Sequence, residues 1–207
     1  MATCRTPAPW LCGWCALRPG GAEPVARAAR PPAPEPLLQG LAPLVGVHTR
    51  VLVLGSFPGV ASLRAQQYYG HPQNQFWRLL AALWPQQPMP GPQDYAGRCA
   101  WVLARGLGIW DVYAACLREG SLDTNIRNAR LNDFAGLRAR LPQLAAIAHN
   151  GGESFSRARR VREGMGLAPD SPIASLRLPS TSPANASWSF ARKCAAWEQA
   201  FTQYGLL

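Results

Sequence analysis

Between positions 66 and 77 the chain reads Gln66-Gln67-Tyr68-Tyr69-Gly70-His71-Pro72-Gln73-Asn74-Gln75-Phe76-Trp77, which gathers two adjacent tyrosines, a histidine and an asparagine into one short polar and aromatic stretch. Such an inventory suits work on a nucleobase held outside its stack, where aromatic faces grip the ring and amides or hydroxyls read its edge. Asn74 can orient a water through its carbonyl oxygen, although an amide is not basic enough to remove a proton. His71 fits a neutral catalytic group and a structural hydrogen-bond partner equally well. Phe76 and Trp77 are expected to pack in the core. Three further segments invite a chemical reading: Gly55-Ser56-Phe57-Pro58-Gly59, Asn150-Gly151-Gly152 and Pro179-Ser180-Thr181-Ser182-Pro183-Ala184-Asn185-Ala186-Ser187. Their glycines permit tight turns and close approach of a ligand to backbone N–H groups, and clustered hydroxyls can donate to phosphates. Each segment taken alone is also the composition of an ordinary turn or helix cap.

What unites the three is that each follows a stretch that reads as a strand. Arg50-Val51-Leu52-Val53-Leu54-Gly55 is a continuous apolar run of the buried parallel type, ended by a glycine. Residues 144–148 read as another strand, stopped at Asn150, and 173–178 as a further one; Leu107 to Val112 supplies the fourth. Helical spacing appears over 74–83 and 95–104, Asn132-Asp133 opens a helix that closes at Leu141-Pro142, and a basic helix carries Arg157, Arg159, Arg160 and Arg162. Ser187 is expected to cap a last helix that turns Trp188, Ala191, Ala195 and Trp197 toward the core. Strands alternating with helices give an α/β domain with a parallel sheet, which binds ligands at the carboxyl ends of its strands.

The 207 residues, 48% hydrophobic and 15% charged with 8 Trp, have the apolar content for one folded domain and exclude a disordered basic tail. No apolar run approaches the ~20 residues of a membrane-spanning helix, and no secretory signal pattern is present, so the expectation is a soluble, cytoplasmic protein without a membrane partner. With 21 Lys+Arg against 11 Asp+Glu the formal charge is +10. A pI near 10.1 points to a polyanion, nucleic acid first, since cations that neutralise phosphates release counterions; coding bias toward Arg is the other reading of the same excess. Residues 1–36 hold 8 of the 20 Pro and 3 of the 6 Cys and lack periodicity. They read as a flexible leader, with the domain division set at 1–40 and 41–207. Cys4, Cys12 and Cys15 look like half of a metal site, but the isolated Cys99, Cys116 and Cys194 do not complete one, so neither metal nor cofactor is expected.

At the level of whole segments the chain resembles the hypoxanthine-DNA glycosylase family of the uracil-DNA glycosylase superfamily. The resemblance rests on GSFPGVASL…YYGHPQNQFW at 55–77, GIWDVY at 108–113, GSLDTNI at 120–126, NDF at 132–134 and LPSTSPANAS at 178–187, in that order. It implies a three-layer α/β/α sandwich with a central four-stranded parallel sheet. It also implies metal-free hydrolysis of the N-glycosidic bond of deaminated bases in DNA, with hypoxanthine expected and uracil a second candidate. Other branches place an activating Asp or Asn in the first loop, where this chain has Phe57 and Gly59; the catalytic asparagine is then expected at Asn74, with His71 beside it. Ser56, Phe57 and Asn150 are candidates to contact the base, Tyr69 to stack on it, and Asp111 to read its edge, with a turn or helix cap as the other reading of Asp111. Ser180, Thr181, Ser182, Pro183, Asn185 and Ser187 belong to the loop expected to press into the minor groove; Asn185 stands where some branches have a histidine. The expected partner is DNA containing deaminated bases, bound by a monomer, with Arg177 and the 157–162 arginines toward its backbone. A nucleotide hydrolase on a similar sheet and a noncatalytic lesion-binding module are the rival readings.

Overall fold

In the computed structural model, which describes residues 37–207, a four-stranded parallel sheet runs in the order β3-β2-β6-β7. Its strands are β2 (Val51–Gly55), β3 (Leu107–Asp111), β6 (Ala146–Asn150) and β7 (Ala174–Leu178). Every residue of β2 and β3 is buried, as expected for a sheet covered on both faces, and this is why β2 reads as an unbroken apolar run, while β3 carries one acid, Asp111, at its end. The helices are α1 (Val60–Ala65), α2 (Phe76–Leu83), α3 (Tyr95–Ala104), α4 (Phe134–Ala139), α5 (Gly152–Ser156), α6 (Ala158–Gly164) and α7 (Phe190–Gln203). α2 packs on α7 and α4 on α6, giving the three-layer α/β/α arrangement. Asp94 and Asp133 cap α3 and α4 by accepting from the backbone N–H groups of Gly97 and Gly136.

Several elements differ from the pattern the sequence suggests. β6 begins two residues later than expected and ends on Asn150, so this asparagine closes a strand instead of opening a turn. The basic helix is two helices broken at Arg157, whose φ of −100° and ψ of 2° leave the helical region. Ser189, not Ser187, caps α7 by accepting from the Arg192 N–H at 3.3 Å. That two-residue shift rotates the buried stripe to Lys193, Trp197, Ala200 and Phe201, leaving Ala191 and Ala195 exposed and Trp188 at the surface. The shift has a polar cause: Lys193 is buried, its Nζ donating to Gln75 Oε1 at 2.9 Å and to the Asn185 carbonyl at 3.0 Å, so a charged residue occupies an inward position that hydropathy assigns to a neighbour.

A second, antiparallel sheet, β1-β4-β5, is built from β1 (Leu38–Gln39), β4 (Tyr113–Leu117) and β5 (Arg127–Leu131). Only Val112 separates β3 from β4, and β5 is exposed along most of its length, so neither carries a periodic signal. Leu38 pairs with Cys116 and Gln39 with Ala115, on the leader side of the division at residue 40. The rest of that leader, with Cys4, Cys12 and Cys15, lies outside the described residues.

Candidate functional site

The carboxyl ends of β2, β3, β6 and β7 open into one cavity of about 860 Å³. Its walls are the 55–59 loop after β2, the 121–124 segment beyond β3, Asn150 to Gly152 after β6, and the 177–188 segment at and after β7, with Tyr69, His71 and Asn74 from the connection between α1 and α2. All of the candidates named from the sequence line this cavity: Asn74, His71, Ser56, Phe57, Tyr69, Asp111, Asn150, Ser180, Thr181, Ser182, Pro183, Asn185 and Ser187. Four strand ends thus bring together segments more than a hundred residues apart in the chain.

Asp111, the last residue of β3, is the chemically unusual member. Its side chain is only 5% exposed, and its Oδ2 has no hydrogen-bond partner among the described residues. Burial raises its pKa from 3.8 to about 7; the nearby Asp123 pushes the same way, and the Arg118 guanidinium opposes both. A large share of this carboxyl is therefore a neutral acid at physiological pH, able to donate from one oxygen and accept at the other. Gly55 makes this placement feasible, since a Cβ at position 55 would lie 2.3 Å from Asp111 Oδ1. Gly55→Ala is expected to displace the carboxyl, costing about 1–3 kcal/mol of stability. Thermal unfolding at pH 5 and pH 8 measures that loss.

Asn150 has little left to offer a ligand. Its Nδ2 donates to Tyr69 Oη at 3.1 Å and to Thr181 Oγ1 at 2.9 Å, while its Oδ1 accepts the Thr181 N–H at 2.9 Å. Both amide hydrogens are committed, and the residue ties the end of β6 to the loop after β7 and to Tyr69. Tyr69 in turn stacks on Phe76, with ring centroids 3.8 Å apart and planes 24° apart, so one face of its ring is covered. Its backbone is left-handed, with φ at 53°, a strained conformation held by the Phe76 stack and the Asn150 hydrogen bond. Burial pushes the Tyr69 phenol well above its ordinary pKa, and it stays a neutral hydroxyl.

Asn74 is half-buried, and its Oδ1 accepts the Phe76 N–H at 3.0 Å, leaving one carbonyl lone pair and the whole amino group unengaged. His71 is exposed; its Nδ1 accepts from the Gln73 N–H at 3.2 Å, which leaves the proton of a neutral ring on Nε2. Ser56 Oγ donates to Asp123 Oδ1 at 2.6 Å, and the Val60 N–H donates to Ser121 Oγ at 3.0 Å. Behind the same loop the buried Arg118 donates to the carbonyls of Phe57 and Pro58, and its guanidinium lies 5.0 Å from the Phe57 ring centre. The sequence does not mark Arg118, Ser121 or Asp123 individually: they sit on or beside the irregular 119–125 connection, whose motif GSLDTNI marks the segment without marking which residue faces inward.

The basic cluster expected on one helix is largely spent within the fold. Arg157 donates to Tyr113 Oη at 2.7 Å and pairs with Glu153 at 3.4 Å; Arg159 pairs with Glu163 at 3.2 Å; Arg162 donates to the Ile173 and Ala168 carbonyls. Arg177, in contrast, reaches the cavity wall. Cys99, Cys116 and Cys194 are free thiols, and no group of three or more His, Cys, Asp or Glu side chains among the described residues could hold a metal ion. No described helix is long and apolar enough to cross a membrane.

Comparison with known proteins bears on this geometry. Residues 42–203 match the family described as the uracil DNA glycosylase superfamily. A protein of Methanosarcina acetivorans named hypoxanthine DNA glycosylase is 35% identical over 163 residues, which is 79% of this chain and 97% of that protein. A Methanosarcina barkeri protein of the same name is 39% identical over 116 residues, 56% of this chain and 72% of its own length. The solution NMR structure of a candidate uracil DNA glycosylase from Methanosarcina acetivorans superposes with a TM-score of 0.66 at 34% identity, covering 81% of this chain and 98% of that one.

Proposed function

Because the chain belongs to the uracil DNA glycosylase superfamily and is a DNA glycosylase for deaminated bases, we propose that it hydrolyses the N-glycosidic bond of deoxyinosine, with deoxyuridine as a second substrate, through Asn74 and Asp111. The observation that carries this reading is the buried Asp111 carboxyl with an unpartnered oxygen on the cavity floor. Hypoxanthine presents a ring N–H beside a carbonyl oxygen. A neutral carboxyl meets that pair by accepting from the N–H and donating to the carbonyl, and uracil offers the same pair.

Cleavage of the bond sends its electron pair to the base and leaves an oxocarbenium-like sugar, which a water then attacks at C1′. The water oxygen forms the new bond and releases its proton to solvent. Asn74 orients that water through the free lone pair of its carbonyl. Donors aimed at the departing base, the Asp111 hydroxyl and the Nε2–H of His71, stabilise the charge that develops on it. Ser56 and Phe57 form the wall of the cavity against the base, and the Ser180 to Ser187 loop meets the flanking nucleotides. Asn150 serves this site by holding Tyr69 and Thr181 in register. The lesion itself lowers the cost of extrusion, since a poorly paired base leaves the stack more readily. The proposal further has the protein acting as a monomer in the cytoplasm, without a cofactor.

The test is base release from duplexes carrying one deoxyinosine or one deoxyuridine, read as alkali-labile abasic sites. Release that persists in millimolar EDTA is expected. Binding of the lesion without release would favour a noncatalytic module, and indifference to both duplexes would favour a nucleotide hydrolase.

A further inference from the structure

β5 is an edge strand of the small sheet, and its residues Arg127 to Arg130 are all exposed. Its pairing with β4 is irregular. Arg127 lies opposite Leu117 and Arg130 opposite Ala115, so three steps along β5 match two along β4. The extra residue falls in the 128–129 interval, where Asn128 takes a left-handed φ of 49°. In a regular strand, residues three apart point to opposite faces. Because Leu117 and Ala115 are two apart and share a face of β4, the bulge brings Arg127 and Arg130 onto one face together.

Neither guanidinium has an ion-pair or hydrogen-bond partner among the described residues. Of the nearby acids, Asp123 accepts from Ser56 and Asp133 caps α4 by accepting from Gly136, while the exposed Glu119 forms no ion pair with either arginine. Strand order fixes where this pair lies relative to the cavity. β3 and β7 are the two edges of the parallel sheet, so the 121–124 wall and the 179–187 loop stand on opposite sides of the mouth. A duplex that delivers one base into the mouth must pass over both sides. β5 begins three residues beyond Thr124, on the side away from the 179–187 loop.

We propose that Arg127 and Arg130, aligned by the bulge at Asn128, form a phosphate-binding edge for the duplex arm on the β3 side of the cavity. This surface rests on the glycosylase reading for the placement of the duplex. The chemistry it offers is two unpaired guanidiniums on one face, suited to bidentate contacts with phosphate oxygens and carrying no base readout. Charges and bulges also blunt a sheet edge against pairing with another chain, a role that glutamate serves as well as arginine. Contact with phosphate demands the positive sign.

The experiment measures the Kd of the full chain for a duplex of about thirty base pairs over a range of salt concentrations. The duplex carries a non-hydrolysable 2′-fluoro deoxyinosine at its centre. Arg127→Gln/Arg130→Gln is expected to lower the slope of log K against log salt by about 1.8, two contacts at roughly 0.9 each. Arg127→Lys/Arg130→Lys should retain most of the slope, and Arg127→Glu/Arg130→Glu should lose more affinity than Gln while remaining folded. Arg138→Gln/Arg140→Gln, the same charge change at the far end of α4, should leave the slope unaltered. On a duplex truncated at the lesion so that the β3-side arm is missing, wild type and the Gln variant should bind alike. Equal slopes for wild type and the Gln variant on the long duplex overturn the proposal, as does an equal drop in the α4 control. Failure of the glycosylase reading looks different: wild type would release no base from either lesion duplex, while the salt slope would still report on the arginine edge.

Discussion

Asn74→Ala is expected to lower the single-turnover rate of base release by roughly 10²–10³, the usual effect of deleting one preorganised polar contact at a reacting centre, while the Kd for lesion DNA changes little. The side chain has a second task that must be separated from the first. Its Oδ1 accepts the Phe76 N–H at 3.0 Å, a local turn that leads into α2, so alanine also removes about 1 kcal/mol of stability. Asn74→Ser keeps a hydroxyl close enough to accept from Phe76 but too short to hold a water in the cavity. A serine variant with restored stability and the alanine rate assigns the lost turnover to the water contact. Quench-flow measurement of base release beside equilibrium binding makes the distinction; should binding fall by the same factor as turnover in the alanine variant, the catalytic assignment of Asn74 is wrong.

The parts of this site that could be read in the sequence are those carried by strand ends. A buried parallel strand such as β2 announces itself by an unbroken apolar run, and whatever follows it must lie at the binding edge, so Ser56, Phe57 and the 180–187 loop are legible by position, whereas Asp111, inside β3, is marked only by the family resemblance. Asn150 was legible as a cavity residue but not as a tether, because its three hydrogen bonds go to Tyr69 and Thr181, which meet it only in the fold. Arg118 illustrates the opposite failure. A buried arginine that donates to two carbonyls of a distant loop has no pattern in its own neighbourhood. The register of α7 differs from the hydropathy pattern for a related reason: Lys193 is buried because Gln75 and the Asn185 carbonyl receive its ammonium, and hydropathy does not place a lysine inward. The antiparallel sheet has no sequence signature because β5 is exposed over Arg127 to Arg130 and its pairing with β4 is interrupted by bulges.

Asp111→Asn is expected to stabilise the protein at neutral pH and to flatten the alkaline side of its activity profile. Holding an acid of ordinary pKa 3.8 at about 7 costs the folded state on the order of 4 kcal/mol near neutrality. Burial sets this balance first, with the charge of Asp123 adding to it and that of Arg118 opposing it; Tyr68 and Tyr69 are neutral neighbours. The folded state retains a proton that the unfolded chain releases, so this contribution to stability falls as pH rises from 3.8 to about 7. His149 acts in the reverse sense. It is fully buried, with Nδ1 2.9 Å from Ser154 Oγ, and burial lowers its pKa from 6.5 to about 4. There the unfolded chain binds the extra proton, so stability rises with pH across the same interval. The two slopes, each about 1.4 kcal/mol per pH unit, nearly cancel between pH 4 and 6.5 in wild type. Removing Asp111 leaves the His149 slope opposed only by Asp123, whose pKa burial also raises, and urea unfolding of Asp111→Asn should show stability climbing with pH by up to about 3 kcal/mol over that range. His149→Asn should show the opposite trend. In activity, wild-type kcat/KM should decline as pH passes about 7 and the Asp111 acid ionises, since a carboxylate can no longer donate to the base carbonyl. An asparagine amide keeps both a donor and an acceptor at every pH. Retention of the alkaline decline in a folded Asp111→Asn protein would show that another group governs it.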